Sequence, residues 1–192
     1  VLVNGTSPSG AIALASLLLS CASVAEPEPE PSTPAIDLTL YVHGLTGPWP
    51  RLALNEVVAV NGGAVLDPAG QSADWIELHN PTDEVVDLRD WSLTDNPEAP
   101  DQHVLDSLEI PAGGYLVLWA DADPTLGPDH LVFSLAGDGE ALGLYAPDGT
   151  TLDLLAFGHQ ARDVALARLP DGTGPWGLTL DGTPGEANRA SE

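Results

Sequence analysis

The 192-residue sequence has no lysine and no methionine, a single cysteine, and five arginines against 29 acidic side chains. The lone Cys21 excludes an intramolecular disulfide framework and any zinc site built on several cysteines. A formal net charge of −24 repels phosphate backbones and argues against nucleic acid as a partner. The same charge keeps the chain solvated, suits salty surroundings in which self-repulsion is screened, and attracts cations, Ca²⁺ among them. No apolar run is long enough to cross a bilayer as an ordinary helix; the longest, Ala11 to Leu19, falls short. Catalytic signatures are missing too. There is no Gly-x-Ser-x-Gly elbow, no Gly-rich phosphate loop and no His-Glu-x-x-His.

What is present is punctuation. With 20 Gly and 18 Pro, the chain reads as many short strands joined by turns. The best-patterned stretch is Asp74-Trp75-Ile76-Glu77-Leu78-His79-Asn80. Trp75, Glu77 and His79 alternate there with Ile76 and Leu78, as in a strand with one buried face, and Pro81 closes the run. Further strands are expected over Leu52–Val60, Val85–Leu88, Trp91–Thr94, His103–Leu105, Leu108–Ile110, Leu131–Leu135, Ala141–Tyr145, Thr151–Phe157 and Val164–Arg168. Tyr115–Ala120 is almost wholly apolar and reads as a central strand buried on both faces. Pro147-Asp148-Gly149 is a hairpin signal, since Pro sets φ and Gly accepts a positive φ. About nine short strands, with no convincing amphipathic helix and no fixed repeat, suit an all-β sandwich.

The chain divides into four stretches. Residues 1–21 carry the apolar run followed by Leu18-Leu19-Ser20-Cys21, which resembles a bacterial lipobox. The resemblance implies a signal peptide, a lipid on the Cys21 thiol, and an outer-membrane or cell-surface lipoprotein, Ala22 fitting outer-membrane sorting. Residues 22–35 alternate Glu and Pro, which favours an extended polyproline II tether with too few apolar groups to fold. Residues 36–50 hold a possible extra strand, Ile36–His43, and a Pro/Gly turn. Residues 51–189 are expected to form the main domain.

Within that domain a set of fragments resembles the bacterial lamin tail domain family. They are Leu54-Asn55-Glu56-Val57, Asp74 to Thr82, Val86-Asp87-Leu88, Trp91 to Asp95, Ile110 to Tyr115, Leu144-Tyr145 with Pro147-Asp148-Gly149, and Thr183-Pro184-Gly185. Seven fragments in the expected order make the match specific. The resemblance implies an immunoglobulin-like β-sandwich, an accessory module of secreted or surface proteins, with no catalytic residues to carry over.

The acids that invite chemistry are Glu56 and Glu77, each inside a strand that otherwise reads as buried. An unpaired carboxylate there is costly, so each should accept hydrogen bonds from backbone N–H groups or arginine, or the two should share a cation, Ca²⁺. Asp121, Asp123 and Asp129 form a second calcium candidate, oxygen ligands on a loop without full EF-hand spacing. His43, His79, His103, His130 and His159 are scattered singly, and no pair has metal-ligand spacing. Of the five tryptophans, Trp75, Trp91 and Trp119 lie in strand patterns and belong to a core. Trp49 and Trp176, beside Pro and Gly, are the ones more open to exposure, where indole faces stack on sugars, but core or turn packing is the preferred reading for all five.

The functional expectation is a non-enzymatic, lipid-anchored, extracytoplasmic binding or structural module, whose partner is an unknown surface protein or glycan. The alternative is a carbohydrate-binding or enzyme-accessory module acting beside a separately encoded hydrolase. The sequence names no ligand.

Overall fold

The computed structural model describes residues 41–43, 48–180 and 182–190. Cys21, the tether and residues 36–40 lie outside the described residues. Twelve strands and no helix are found among those described. They are β1 Tyr41–His43, β2 Ala53–Val58, β3 Asp74–His79, β4 Val86–Asp87, β5 Ser92–Thr94 and β6 His103–Val104, followed by β7 Glu109–Ile110, β8 Tyr115–Ala120, β9 Gly139–Tyr145, β10 Thr151–Gly158, β11 Ala165–Arg168 and β12 Trp176–Thr179. Two five-stranded antiparallel sheets, ordered β1-β10-β9-β5-β6 and β12-β11-β2-β3-β8, form the sandwich, and β4-β7 makes a small third sheet.

The main core lies between the two large sheets. Leu142, Leu144, Leu155 and Phe157 face it from the first, and Leu54, Val57, Ile76, Leu78, Leu118 and Leu166 from the second, all buried. Burying a side chain of this size contributes about 1.5–3 kcal/mol. Strand alternation then sends Trp75, Glu77 and His79 to the opposite, outer face of the second sheet. That face is covered as well: Trp75, Trp119, Val58, Ala73 and Ala165 form a second small core. The single buried face expected for β3 is therefore corrected to two, because the β2–β3 loop supplies Ala73 and Val65, and residues 182–188 lie against Trp75, Glu56 and Glu77.

Three other expectations change. The count stands at twelve rather than about nine: every stretch expected as a strand except Leu131–Leu135 forms one, and β12, which the Pro/Gly-rich neighbourhood of Trp176 conceals, is added. Leu131–Leu135 is not a strand; it makes one isolated bridge, Asp121 with Ser134, and the residue before it makes another, Trp119 with His130. Tyr115–Ala120 is an edge strand rather than a central one. Its open edge is taken by irregular chain: Trp119 donates its N–H to Asp129 O at 2.8 Å, and Leu131 donates to Trp119 O at 2.8 Å. Edge strands tend to be covered in this way, which explains the apolar composition. β1 does join the first sheet, pairing Tyr41 with Leu155 on β10.

Candidate functional site

The outer face of the second sheet gathers most of the unusual chemistry. A register irregularity between Leu54 and Glu56 on β2 sets Glu56 opposite Glu77 on β3. Both glutamates are fully buried. Like charges directly opposite each other across a strand pair are destabilising, so their remaining partners matter. Glu77 accepts from Asn55 Nδ2 at 2.9 Å through Oε1 and from the Gly185 backbone N–H at 2.6 Å through Oε2. Glu56 Oε2 accepts from the Thr183 N–H at 2.9 Å and lies 3.1 Å from the Thr183 hydroxyl, while Glu56 Oε1 has no partner. Thr183 Oγ1 is also 2.9 Å from Asn188 Oδ1, so its one proton serves one acceptor at a time.

Asn55 and Asn188 bind this face together. Asn55 donates to Asp171 Oδ1 at 3.0 Å as well as to Glu77, and it accepts from the Gly172 N–H at 2.8 Å. Asn188 donates through Nδ2 to the carbonyls of Asn55 at 3.1 Å and Arg168 at 2.9 Å. Gly172 is required where it stands: its φ is 65°, and a Cβ there would sit 2.8 Å from His79 Nδ1. His79 stacks on Tyr115 with ring centroids 4.7 Å apart.

Burial dominates the electrostatics. It pushes Glu77 up to about 8, against the hydrogen bonds from Asn55 and Gly185, with the charges of Glu56 and Asp171 raising it further. Burial likewise pushes Glu56 up to about 7, against the Thr183 hydrogen bonds. Near neutral pH the pair therefore holds a proton. Such a pair can clamp the 182–188 segment. It offers no substrate-accessible nucleophile, since both groups are sealed.

A different carboxylate joins the two sheets. Asp153 on β10 meets the Arg168 Nη2 on β11 at 2.8 and 3.0 Å, both side chains fully buried. Asp153 also accepts from the Leu54 N–H at 3.0 Å, and Arg168 Nε donates to Leu54 O at 2.7 Å. Trp176 lies under the Arg168 guanidinium, 4.4 Å from ring centroid to Cζ, and is buried rather than exposed. Burial pushes Asp153 up to about 6 although the guanidinium pulls the other way.

The loop acids cap turns. Asp121 Oδ1 accepts from the Asp123 N–H at 3.0 Å, and Asp123 Oδ1 from the Thr125 N–H at 3.2 Å. Among the described residues, one group of three potential metal-ligating side chains comes together, and it is Asp67, Asp121 and His130. Asp121 is thus separated in role from Asp123 and Asp129, and Glu56 and Glu77 are not gathered into such a group. Asp67, Asp171 and Asn188 carry no mark of a site residue in the sequence. Asp67 and Asp171 sit in Asp-Pro and Pro-Asp-Gly stretches that read as ordinary turns. Asn55, a buried amide inside an apolar strand, was the one signal available.

The surface also holds an open cleft of about 420 Å³, lined by Trp49, Trp91, Val85 and the acids Asp83, Glu84 and Asp87. Trp49 is half-buried and meets Trp91 edge to face, with centroids 5.9 Å apart. Trp91 is buried, as are Trp75 and Trp119, in agreement with their strand patterns.

A comparison with curated proteins finds no match. The sequence model of the Lamin Tail Domain family matches residues 50–159, more than half of the chain, spanning β2 to β10. β11 and β12 follow the matched region and complete the sheet that β2 and β3 begin. The ordered fragments, the two-sheet immunoglobulin-like sandwich and the matched model agree: this chain belongs to the lamin tail domain family.

Proposed function

We propose that the protein is a non-enzymatic binding module, lipid-anchored through Cys21 and held outside the cytoplasm on the 22–35 tether. The observation that carries this reading is the order of three signals: an apolar run, Leu18-Leu19-Ser20-Cys21, then alternating Glu-Pro. Membership of a non-catalytic immunoglobulin-like family supports the absence of enzymatic activity. So does the sealing of Glu56 and Glu77 from solvent. Crosslinking on intact cells tests the binding role. The reading expects protease-accessible protein joined to one surface partner; protein found in the cytoplasm and protected in intact cells would overturn it.

A second reading, binding of a glycan beside a separately encoded hydrolase, is favoured by the cleft at Trp49. A half-buried indole rimmed by Asp83, Glu84 and Asp87 offers one stacking face and several acceptors for sugar hydroxyls. A glycan array separates the two readings, with Trp49→Ala abolishing any signal that belongs to the cleft. Calcium shared by Glu56 and Glu77 stays part of the proposal in a restricted form. The ion would have to displace the proton and use the unpartnered Glu56 Oε1, so binding strengthens as pH rises through 7 and 8. Calcium at Asp121, Asp123 and Asp129 has no comparable support, since the Asp121 and Asp123 carboxylates each accept a backbone N–H of their own turn.

A further inference from the structure

We propose that Asp67, Asp121 and His130 bind one divalent transition-metal ion of the zinc class. The site is independent of the anchor and of the Trp49 cleft. The β3–β8 register creates it: Asp74 pairs with Ala120, so the loop entering β3 and the chain leaving β8 emerge side by side. Asp67 comes from that loop and Asp121 from the residue after β8. His130 is fixed beside β8 by its bridge to Trp119. Gly70 donates its N–H to Asp67 O at 3.0 Å and Gln71 donates to Asp67 Oδ1 at 2.7 Å, holding the carboxylate in a closed turn.

One ligand atom from each of the three side chains lies within 4.8 Å of the other two. Atoms bonded to a common zinc at about 2.0–2.2 Å stand no more than roughly 4.4 Å apart, so small side-chain rotations close the set. His130 Nδ1 and Asp121 Oδ2 stand 2.7 Å apart in a hydrogen bond whose shared proton the metal would replace.

The independent sign is Asp67 itself. Its residue exposure is 4%, and its buried Oδ2 has no hydrogen-bond partner. A buried carboxylate oxygen with nothing to accept from is expensive, more so beside a second carboxylate. His130, 3% exposed, supplies a buried imidazole nitrogen beside the two carboxylates. A cation at this point neutralises both aspartates and gives Asp67 Oδ2 a partner. The ligand set selects its class. Two carboxylate oxygens with one imidazole suit zinc, whereas calcium takes oxygen ligands throughout. Three protein ligands leave a fourth position for water or for a group supplied by a partner.

The test uses the chelator-stripped full chain with Zn²⁺ or Co²⁺ as probes. We expect about one equivalent of Zn²⁺ retained after desalting, and Co²⁺ should give visible bands of low-symmetry four- or five-coordination. The melting midpoint should rise by roughly 5–10 °C at a hundredfold excess over Kd. Asp67→Asn and His130→Gln should each abolish the stoichiometric uptake, while Asp123→Asn, next to the site but outside the set, retains it. Equimolar Ca²⁺ should not displace the probe. Equal uptake by wild type and both variants would assign the binding to the acidic surface and overturn the site. Octahedral Co²⁺ spectra, or no stoichiometric uptake by the folded wild type, would overturn it regardless of whether the variants fold.

Discussion

At the scale of single residues, Glu77 and Arg168 solve the same difficulty, a buried ionisable group, in opposite ways. Glu77 keeps a proton. Its folded-state affinity is raised by burial to about 8, and that of Glu56 to about 7, whereas both would titrate near 4.5 when unfolded. The folded protein therefore binds protons more tightly than the unfolded chain. That contribution is complete below about pH 4.5 and is lost as pH rises through 7 and 8. Melting curves should show lower stability at about pH 9 than at about pH 5.5, by a few kcal/mol. Glu77→Gln, which mimics the neutral acid, should flatten that fall. A profile just as steep in the variant would remove Glu77 from the explanation. Arg168 instead keeps its charge by meeting Asp153. Removing one partner strands the other in the core, so Arg168→Ala should cost about 3–5 kcal/mol. Chemical denaturation checks it, and Asp153→Ala/Arg168→Leu together should recover part of the loss.

At the scale of elements, the 182–188 segment behaves as a lid over β2 and β3. Gly185 and Thr183 donate their backbone N–H groups to the two buried glutamates, and Gly182 packs on the Trp75 indole. Deleting residues 182–192 should expose Trp75 and both carboxylates. We expect a red shift in tryptophan fluorescence and a melting midpoint lower by several degrees, with the strand signal in circular dichroism retained. Unchanged fluorescence would mean that the segment does not seal this face. The same elements show what the sequence could reveal. Alternation at Trp75–His79 correctly separated Ile76 and Leu78 from Trp75 and Glu77, because strand geometry allows nothing else. It did not reveal that the second face was also covered, since over Glu77 the cover comes from residues a hundred positions away. Tyr115–Ala120 misled for a related reason. An edge strand bonded by irregular chain needs the same apolar side chains as a central strand. The carboxylate cluster was half legible: Glu56 and Glu77 stood out as acids in apolar runs, and their hydrogen-bonded fate followed one of the two stated options. Asp67 and His130 carried no local mark, because only the β3–β8 register brings their loops together.

At the scale of the whole molecule, the charge of −24 and the proposed anchor decide how the domain meets its surroundings. Exposed acids repel one another over a Debye length of about 10 Å at 0.1 M salt and about 3 Å at 1 M. Raising NaCl from about 0.02 M to 1 M should therefore increase the melting midpoint at neutral pH, and a fall on adding salt would show that attractive surface pairs dominate. The fold and the family were readable because both rest on strand patterning and turn residues spread along the chain. The address rests on one short stretch, Leu18 to Cys21, and the proposal that this module works from a membrane depends on it. Expression in a bacterium with lipoprotein processing, followed by membrane fractionation and intact mass of wild type and Cys21→Ser, tests that dependence most directly. A lipid anchor at Cys21 gives a membrane-bound wild type cleaved before Cys21 and carrying the mass of attached acyl chains, both lost in Cys21→Ser. Identical mass and identical fractionation of the two proteins would contradict it.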